Sequence, residues 1–271
     1  MTDFAYHSGL AGPAPARTGA PKLLIGLILP VTIAAIWELV CRAGLVPPNL
    51  LPAPSAIART IAALAAKGEL QTHLEATCAR LALGFLLGAA VGTLFGALTG
   101  ASAFARALID PLVQGLRSVP SIAWVPLFIL WLGIFEASKV TLIAVGVFFP
   151  VYLNLMTGIA QVDRKLIEVG RVHRLGRLAQ LWRILLPAAL PAYVTGLRSG
   201  LGLGWMFVVA AELMGASEGL GFLLIDGQQT GRPAIVIGAI LLFALLGKAT
   251  DLILALVGAR LLAWQDIAVE A

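Results

Sequence analysis

Long apolar runs separated by short polar segments constrain this 271-residue chain more than any other feature of its sequence. Hydrophobic residues make up 59% of the chain and charged residues only 12%, and the mean hydropathy is +0.94. Soluble domains carry about 25% charged residues. About 20 apolar residues cross the hydrocarbon core of a bilayer. The sequence therefore predicts an all-α, polytopic membrane protein rather than a large soluble core.

The apolar runs predict about six transmembrane helices. The predicted spans cover residues 23–40, 81–98, 122–134, 140–159, 193–214 and 234–257. The third run is short, so that span is expected to start near residue 112, with Arg117 at a helix end or a break at Pro120. The predicted organisation is a disordered cytoplasmic lead (1–21), a transmembrane domain (22–260) and a cytoplasmic tail (261–271).

The distribution of Lys and Arg predicts the orientation of these spans. With the N-terminus inside, the inner segments hold more cations than the outer segments, which satisfies the positive-inside rule. Both termini are therefore expected in the cytoplasm. The net charge of +5 is explained by cytoplasmic loops beside lipid, so no nucleic-acid partner is expected.

The second predicted span carries a glycine at every fourth position. Each four-residue step advances about 400° around a helix, so the stripe precesses by about 40° per step. Small residues at this spacing let helix backbones approach closely. The stripe is expected to pack against more than one neighbouring helix. Its members are Gly84, Gly88, Gly92, Gly96 and Gly100.

A polar, strongly basic stretch interrupts the oily sequence at residues 163–191, which we call the basic segment. Its polar residues recur every third position, at 168, 171, 174, 177, 180 and 183. On a straight α-helix a three-residue step slips about 60° each time. Two short helices with a break are therefore expected, with Gly176 as the best candidate for the break. Pro187 and Pro191 would then redirect the chain into the fifth span.

No motif for nucleotide binding or catalysis is present. The chain lacks a phosphate-binding G-x-x-x-x-G-K-[ST] loop. Residues 215–219 fit G-x-S-x-G, but a nucleophile elbow needs a later histidine, and His7, His73 and His173 all precede it. These residues are therefore interpreted as a loop, and no metal or cofactor site is expected in the chain.

Several charged residues fall within or near predicted spans. Glu38 and Glu212 lie near outer ends, where partial hydration is the simplest account of a carboxylate. Arg198 is expected to extend its long side chain inward to water. Lys248 and Asp251, three residues apart, are expected to neutralise each other.

The two cysteines are Cys41 and Cys78. Their spacing matches no metal or redox motif. Both could lie near the outer face, which leaves a disulfide or two free thiols open.

Part of the basic segment resembles the EAA motif of inner-membrane permeases of bacterial ABC importers. The matching residues are Glu168, Val169, Gly170, Ile184, Leu186 and Pro187. Where that family carries its turn glycine this chain has Arg174, and the nearest glycine is Gly176. The resemblance implies that these residues couple the chain to a cytoplasmic ATPase, with the contact centred on residues 168–176 and with Arg171 and Arg174 exposed.

The likeness extends over nearly the whole chain after residue 25. It indicates the nitrate/sulfonate/taurine/bicarbonate branch, and within it the aliphatic sulfonate permeases. The resemblance implies a type I importer fold and a homodimer in a bacterial inner membrane. It also implies a periplasmic substrate-binding protein and an ABC ATPase dimer that holds the ATP and Mg, so that this chain is a transporter subunit and no enzyme.

An anionic substrate needs hydrogen-bond donors or positive charge along its path. Polar residues beside expected helix breaks are therefore candidates for the translocation path: Arg117, Ser118, Ser121, Trp124, Arg198 and Ser199. Permeases for taurine, nitrate or bicarbonate remain alternatives. A stand-alone secondary transporter is a further one, although neither midplane coupling-ion residues nor internal repeats are evident.

Overall fold

The computed structural model describes residues 20–264, except for the side chains at positions 20–24, 27, 121, 171 and 177. Within this range the chain is helical, without a β-strand, which confirms the predicted all-α class. The described residues divide into two compact units, with the boundary after Ser55. The predicted disordered lead and cytoplasmic tail lie mainly outside the described residues, although positions 20 and 21 already belong to a helix.

The first unit contains α1 (Ala20–Arg42), which covers the first predicted span. Near its end the carboxylate of Glu38 accepts hydrogen bonds from Arg42 Nε at 2.7 Å and from the backbone N–H and hydroxyl of Ser55 at 3.0 and 2.8 Å. The Glu38 side chain is only 19% exposed, so the interpretation as a merely hydrated carboxylate is wrong. The next helix begins at Pro54, next to this contact.

Each unit holds one cysteine, and both thiols are free. The thiol of Cys41 donates a hydrogen bond to the carbonyl oxygen of Leu51, at an Sγ–O distance of 3.5 Å. The disulfide between Cys41 and Cys78 that the sequence left open is not formed.

The rest of the chain is a series of helices joined by short connections. They are α2 (Pro54–Ala66), α3 (Glu69–Ala101), α4 (Ala103–Ser118), a 3-10 turn (Ser121–Trp124), α5 (Val125–Leu132), α6 (Glu136–Ala160), α7 (Arg164–Val172), α8 (Arg177–Gln180), a π-helical stretch (Leu181–Leu185), α9 (Leu186–Leu213), α10 (Leu220–Gln229) and α11 (Pro233–Leu261).

Among the described residues, four helices are long and apolar enough to cross a membrane: α3, α6, the run from residue 178 to 213, and α11. The pair α4 and α5 counts as a fifth candidate, although its two halves meet at 88°. The third predicted span is therefore a broken one. Val119 and Pro120 have extended ψ angles between the halves, because proline disfavours helical geometry at the residue before it.

The glycine stripe of α3 packs against α6 along its whole length. A methyl group added at Gly84 would lie 2.5 Å from Ile143 Cγ2, and one at Gly100 would lie 2.8 Å from Ile159 Cβ. Gly88, Gly92 and Gly96 face Ala144, Phe148 and Tyr152 of the same helix. The expectation that the stripe packs against more than one helix is wrong. Helix α6 crosses α3 along its i+4 row, so α6 stays over the glycine stripe as the stripe turns around α3.

Helix α6 is the centre of the bundle. Its other side meets α9, where a methyl group at Gly196 would lie 2.8 Å from Asn154 Cβ. Gly200 comes similarly close to Val147 and Val151. Both valines are fully buried. Two glycine rows thus hold α6 between α3 and α9.

Candidate coupling surface and transport path

The basic segment begins with local hydrogen bonds that start and stop short helices. Asp163 Oδ1 accepts the backbone N–H of Lys165 at 2.9 Å, which caps the first turn of α7. Helix α7 ends at Val172, and α8 starts after Gly176, whose carbonyl oxygen accepts the N–H of Gln180 at 2.9 Å. The predicted break is present, but a second short helix is not, because from residue 178 the helix continues to Leu213. Pro187 and Pro191 lie within this helix, so the expectation that they redirect the chain is wrong.

The bend lies at Arg174, not at Gly176 as expected. Arg174 has φ = 52° and is the only non-glycine residue with positive φ in the described part of the chain. The N–H of Leu175 bonds the carbonyl of Gly170 at 3.0 Å, as in a Schellman motif, whose left-handed position is usually glycine. Gly176 lies two residues further on and does not have a positive φ.

The two halves of the motif-like sequence meet inside the basic segment. Gly170 is buried, and a methyl group there would lie 2.6 Å from Ile184 Cδ1. Gln180 Nε2 donates to the carbonyl of Ile167 at 3.2 Å. These contacts join α7 to the π-helical stretch, which continues into α9 through Leu186 and Pro187.

The outer surface of the basic segment is open. Glu168 and Arg174 are exposed. Val169, Val172 and Leu178 are 54%, 79% and 70% exposed, although they are apolar. The side chain of Arg171 lies outside the described set.

A second polar site, at the opposite end of α6, was not predicted as a unit. Glu212 on α9 is completely buried, so its interpretation as a partly hydrated carboxylate is wrong. Its carboxylate accepts hydrogen bonds from Thr77 Oγ1, Arg80 Nη1 and the N–H of Gly221, each at 2.8 Å.

Arg80 connects this carboxylate to α6. Its Nε and Nη2 bond the two carboxylate oxygens of Glu136 at 2.6 and 2.9 Å. Lys139 Nζ lies 2.9 Å from Glu136 Oε1. We call these residues, with Glu212 and Thr77, the polar cluster. Its two cations and two carboxylates neutralise each other, so the cluster has no free positive charge for an anion.

The G-x-S-x-G sequence is a loop on the polar cluster, as predicted. Gly219 N–H donates to His73 Nδ1 at 3.0 Å, and Leu220 N–H donates to Thr77 Oγ1 at 2.8 Å. Gly219 has φ = 121°, and a methyl group there would lie 2.7 Å from Arg80 Nη1. The only sequence signal for this site is a set of isolated charges next to apolar runs.

The structure separates the predicted path residues into two groups. Arg198 forms a two-pronged ion pair with Asp251 of α11, at 2.9 and 3.0 Å. It therefore does not reach inward to water, and the hydrogen-bonded partner of Asp251 is Arg198 rather than Lys248. Ser199 is exposed beside it.

The other group surrounds the break between α4 and α5. Arg117 is exposed in the last turn of α4, and the Ser118 hydroxyl donates to the Gln114 carbonyl at 3.0 Å. Trp124 stacks on Phe128, and its indole N–H is buried without a hydrogen-bond partner in the described structure. The backbone of Ser121 starts the 3-10 turn, and its side chain is among those not described.

Arg117 also borders a cavity of about 390 Å³ between the break, the middle of α6 and α9. The break contributes Val119 and Pro120, and the two spans contribute Phe149 and Phe207. A cavity of this size accommodates a small organic molecule.

Comparison with known proteins agrees with this architecture. Residues 88–263 match the family described as "Binding-protein-dependent transport system inner membrane component". A "Putative aliphatic sulfonates transport permease protein" of Bacillus subtilis (strain 168) is 45% identical over 89% of this chain and 87% of its own length. Its namesake in Escherichia coli (strain K12) is 40% identical over 88% and 90%.

A third relative, the taurine transport system permease protein of Escherichia coli (strain K12), is 32% identical over 86% of each chain. The family match covers more than half of the chain. Helices able to span a membrane are present within it. The chain therefore belongs to the family of inner-membrane components of binding-protein-dependent transport systems, and it is a multi-pass ABC importer permease.

Proposed function

We propose that this chain forms the translocation path for an aliphatic sulfonate and carries it by alternating access, driven by a separate ATPase. Two relatives that are 45% and 40% identical over nearly the full length of each chain carry this substrate class in their names. The energy source is a cytoplasmic ABC ATPase dimer that holds ATP and Mg. Its closure biases the spans between inward-open and outward-open states.

The observation that carries this proposal is the exposed apolar side of the basic segment. Val169, Val172 and Leu178 face outward beside Glu168 and Arg174. Exposed apolar residues grouped on a polar surface mark a protein-binding site. The contact of Gly170 with Ile184 supports a rigid connection from this site into α9. Closure of the ATPases would move α9 through that connection.

The remaining partners follow from the direction of α6. The basic segment follows the C-terminal end of α6, and the polar cluster lies at its N-terminal end, about 37 Å away for 25 residues at 1.5 Å each. With the basic segment in the cytoplasm, both termini are cytoplasmic and the polar cluster faces the periplasmic binding protein. A second copy of the chain completes the path within the lipid bilayer.

Copurification tests the docking site directly. The tagged chain is expressed with its ATPase, and the ATPase recovered per permease is measured. Val172→Asp should abolish recovery, because the substitution puts a desolvated charge in the interface. Gln161→Asp, at an exposed position of the turn before α7, is the matched control. Equal recovery with both variants would show that the ATPase docks elsewhere.

Growth tests the substrate. Cells that lack this chain should lose growth on an alkanesulfonate as the single sulfur source and keep growth on sulfate. Complementation by the wild-type chain should restore growth, and complementation by Val172→Asp should not. Unchanged growth on alkanesulfonates after deletion would reject the sulfonate assignment.

A further inference from the structure

The cavity beside Arg117 has an uneven chemical lining. Its walls are mostly hydrocarbon, from Phe149, Leu153, Leu203 and Phe207. Arg117 is the charged residue of the lining, and no carboxylate contributes to it. One end of the cavity is thus cationic and the rest is apolar.

The charge of Arg117 is free. Among the described residues it has no ion pair and no hydrogen-bonded side chain, and it is exposed at the end of α4. Arg198, the other cation predicted for the path, is neutralised by Asp251. Arg80 is neutralised by two carboxylates. Of these three arginines, Arg117 is the one whose charge is available to an anion.

The position of the cavity places this charge at membrane depth. Its walls come from residues 146–153 of α6, which lie in the middle of that 25-residue helix. Ionisable residues within the membrane face protein or a water-filled cavity, and they commonly mark ion or substrate pathways. Val119 and Pro120, at the break after α4, contribute to the lining of this space.

We propose that this cavity is a substrate site for an amphiphilic organic anion, with Arg117 binding the anionic head and the phenylalanine-lined wall binding an alkyl chain. This inference rests on the proposed function and deepens it. A planar guanidinium presents paired donors that fit the oxygens of a tetrahedral anion. The apolar wall gains from each methylene group that it removes from water.

The same lining sets a preference among sulfonates. A plain alkanesulfonate places no second charge against the wall. Taurine carries an ammonium group at the far end of a short chain, and the lining offers it no carboxylate. The site therefore favours alkanesulfonates over aminosulfonates, and longer alkyl chains over the shortest.

The test uses proteoliposomes that contain the complete complex of permease, ATPase and a saturating binding protein. Arg117→Gln should lower the uptake of ethanesulfonate by at least about tenfold, because a charged hydrogen-bonding partner is lost. Arg117→Lys keeps the charge and should retain more uptake than Arg117→Gln. Both variants must elute as assembled complexes in size-exclusion chromatography.

A second variant tests the apolar wall without removing the charge. Leu203→Trp narrows the cavity and should lower the uptake of octanesulfonate relative to methanesulfonate by about tenfold or more. Leu245→Trp is the matched control, since Leu245 is an exposed residue of α11 and α11 contributes nothing to the cavity. The binding protein is the same in every assay, so it cannot produce a change in this ratio.

The outcomes separate the two proposals. If proteoliposomes with the wild-type complex take up no sulfonate, the proposed function is wrong, and so is the proposed site. The site alone is wrong if the wild-type complex transports ethanesulfonate and Arg117→Gln transports it equally well. It is also wrong if the ratio of octanesulfonate to methanesulfonate uptake is equal in Leu203→Trp and Leu245→Trp. Reduced uptake with Arg117→Gln and a shifted ratio with Leu203→Trp support it.

Discussion

The polar cluster and the basic segment lie at opposite ends of α6 and are built from opposite kinds of contact. In the polar cluster, Arg80 binds a carboxylate 132 positions away, on Glu212. In the basic segment, the hydrogen bonds donated by backbone N–H groups join residues two to five positions apart, as between Leu175 and Gly170. The longer side-chain bond from Gln180 to Ile167 spans only 13 positions. The first region therefore depends on the assembled bundle, and the second is largely encoded in its own sequence.

Burial differs in the same way. The side chains of Arg80 and Glu212 are 7% and 0% exposed, so each desolvated charge depends on its partner. Val172 and Arg174 in the basic segment are exposed. At one end of α6 the charged side chains therefore hold helices together, while at the other end charged and apolar side chains remain on the surface.

Removing a charge from the polar cluster should give the largest loss of stability. Glu212→Gln leaves Glu136 as the one carboxylate partner of Arg80 and disturbs the bonds to Thr77 and Gly221. Breaking a buried ion pair costs about 3–5 kcal/mol in the free energy of unfolding. The measurement is the thermal unfolding midpoint of the purified protein in detergent.

The matched control for this prediction is Glu218→Gln. Glu218 is exposed and meets Arg80 only through its backbone carbonyl, at 2.6 Å, so the substitution leaves that bond intact. If Glu212→Gln and Glu218→Gln had equal unfolding midpoints, the polar cluster would not be a stabilising site.

The glycine stripe should give the next largest effect. Gly88→Val forces side-chain atoms into the Ala144 carbonyl and Val147 of α6, and overpacking typically costs about 1–3 kcal/mol. Gly202→Val is the control, because a methyl group at Gly202 on α9 meets nothing within 4 Å. A midpoint lowered equally by both substitutions would mean that the loss comes from helix propensity and not from the contact with α6.

Local patterns predicted the parts of the fold that local physics determines. The apolar runs predicted the spans, the spacing of Gly84 to Gly100 predicted a close helix contact, and Pro120 predicted the break in the third span. The partners of these elements could not be predicted in the same way. All the stripe glycines face α6 because of the direction in which α6 crosses α3. This direction cannot be read from the composition of either helix.

The candidate sites show the same limit. Glu212 was predicted to be partly hydrated, because hydropathy places it near the end of a span. Hydropathy does not indicate that Arg80, on another helix, is its partner. Arg198 and Asp251 meet across α9 and α11, whereas sequence proximity favoured Lys248 as the partner of Asp251. At the bend of the basic segment, propensity favoured Gly176, but the hydrogen bonds at the end of α7 place the left-handed residue at Arg174.

The ion pair between Arg198 and Asp251 should give a smaller effect than the polar cluster. Its side chains are 45% and 33% exposed, and pairs of this kind contribute about 0.2–1 kcal/mol. A double-mutant cycle with Arg198→Gln and Asp251→Asn measures the coupling through unfolding midpoints. A cycle of Lys248→Gln with Asp251→Asn is the control, and a larger coupling there would restore the pairing expected from sequence.

The last expected effect is similarly small and has the opposite sign. Arg174 holds φ = 52°, a conformation that costs a non-glycine residue about 1–2 kcal/mol. Arg174→Gly removes this cost, but it also increases the conformational entropy of the unfolded chain, which opposes about 0.4–1 kcal/mol of the gain. The net result should be a rise of about 0.5–1 kcal/mol in the free energy of unfolding, seen as a higher unfolding midpoint.

Gly176→Ala is the matched control for Arg174→Gly. It removes a glycine two residues away, whereas Arg174→Gly introduces one. Gly176 does not have a positive φ, and a methyl group there meets nothing within 4 Å, so alanine should be neutral or slightly stabilising. A midpoint that falls with Gly176→Ala and does not rise with Arg174→Gly would move the bend back to Gly176. The local sequence of the basic segment would then determine its bend. The polar cluster, which depends on long-range contacts, would differ from it even more.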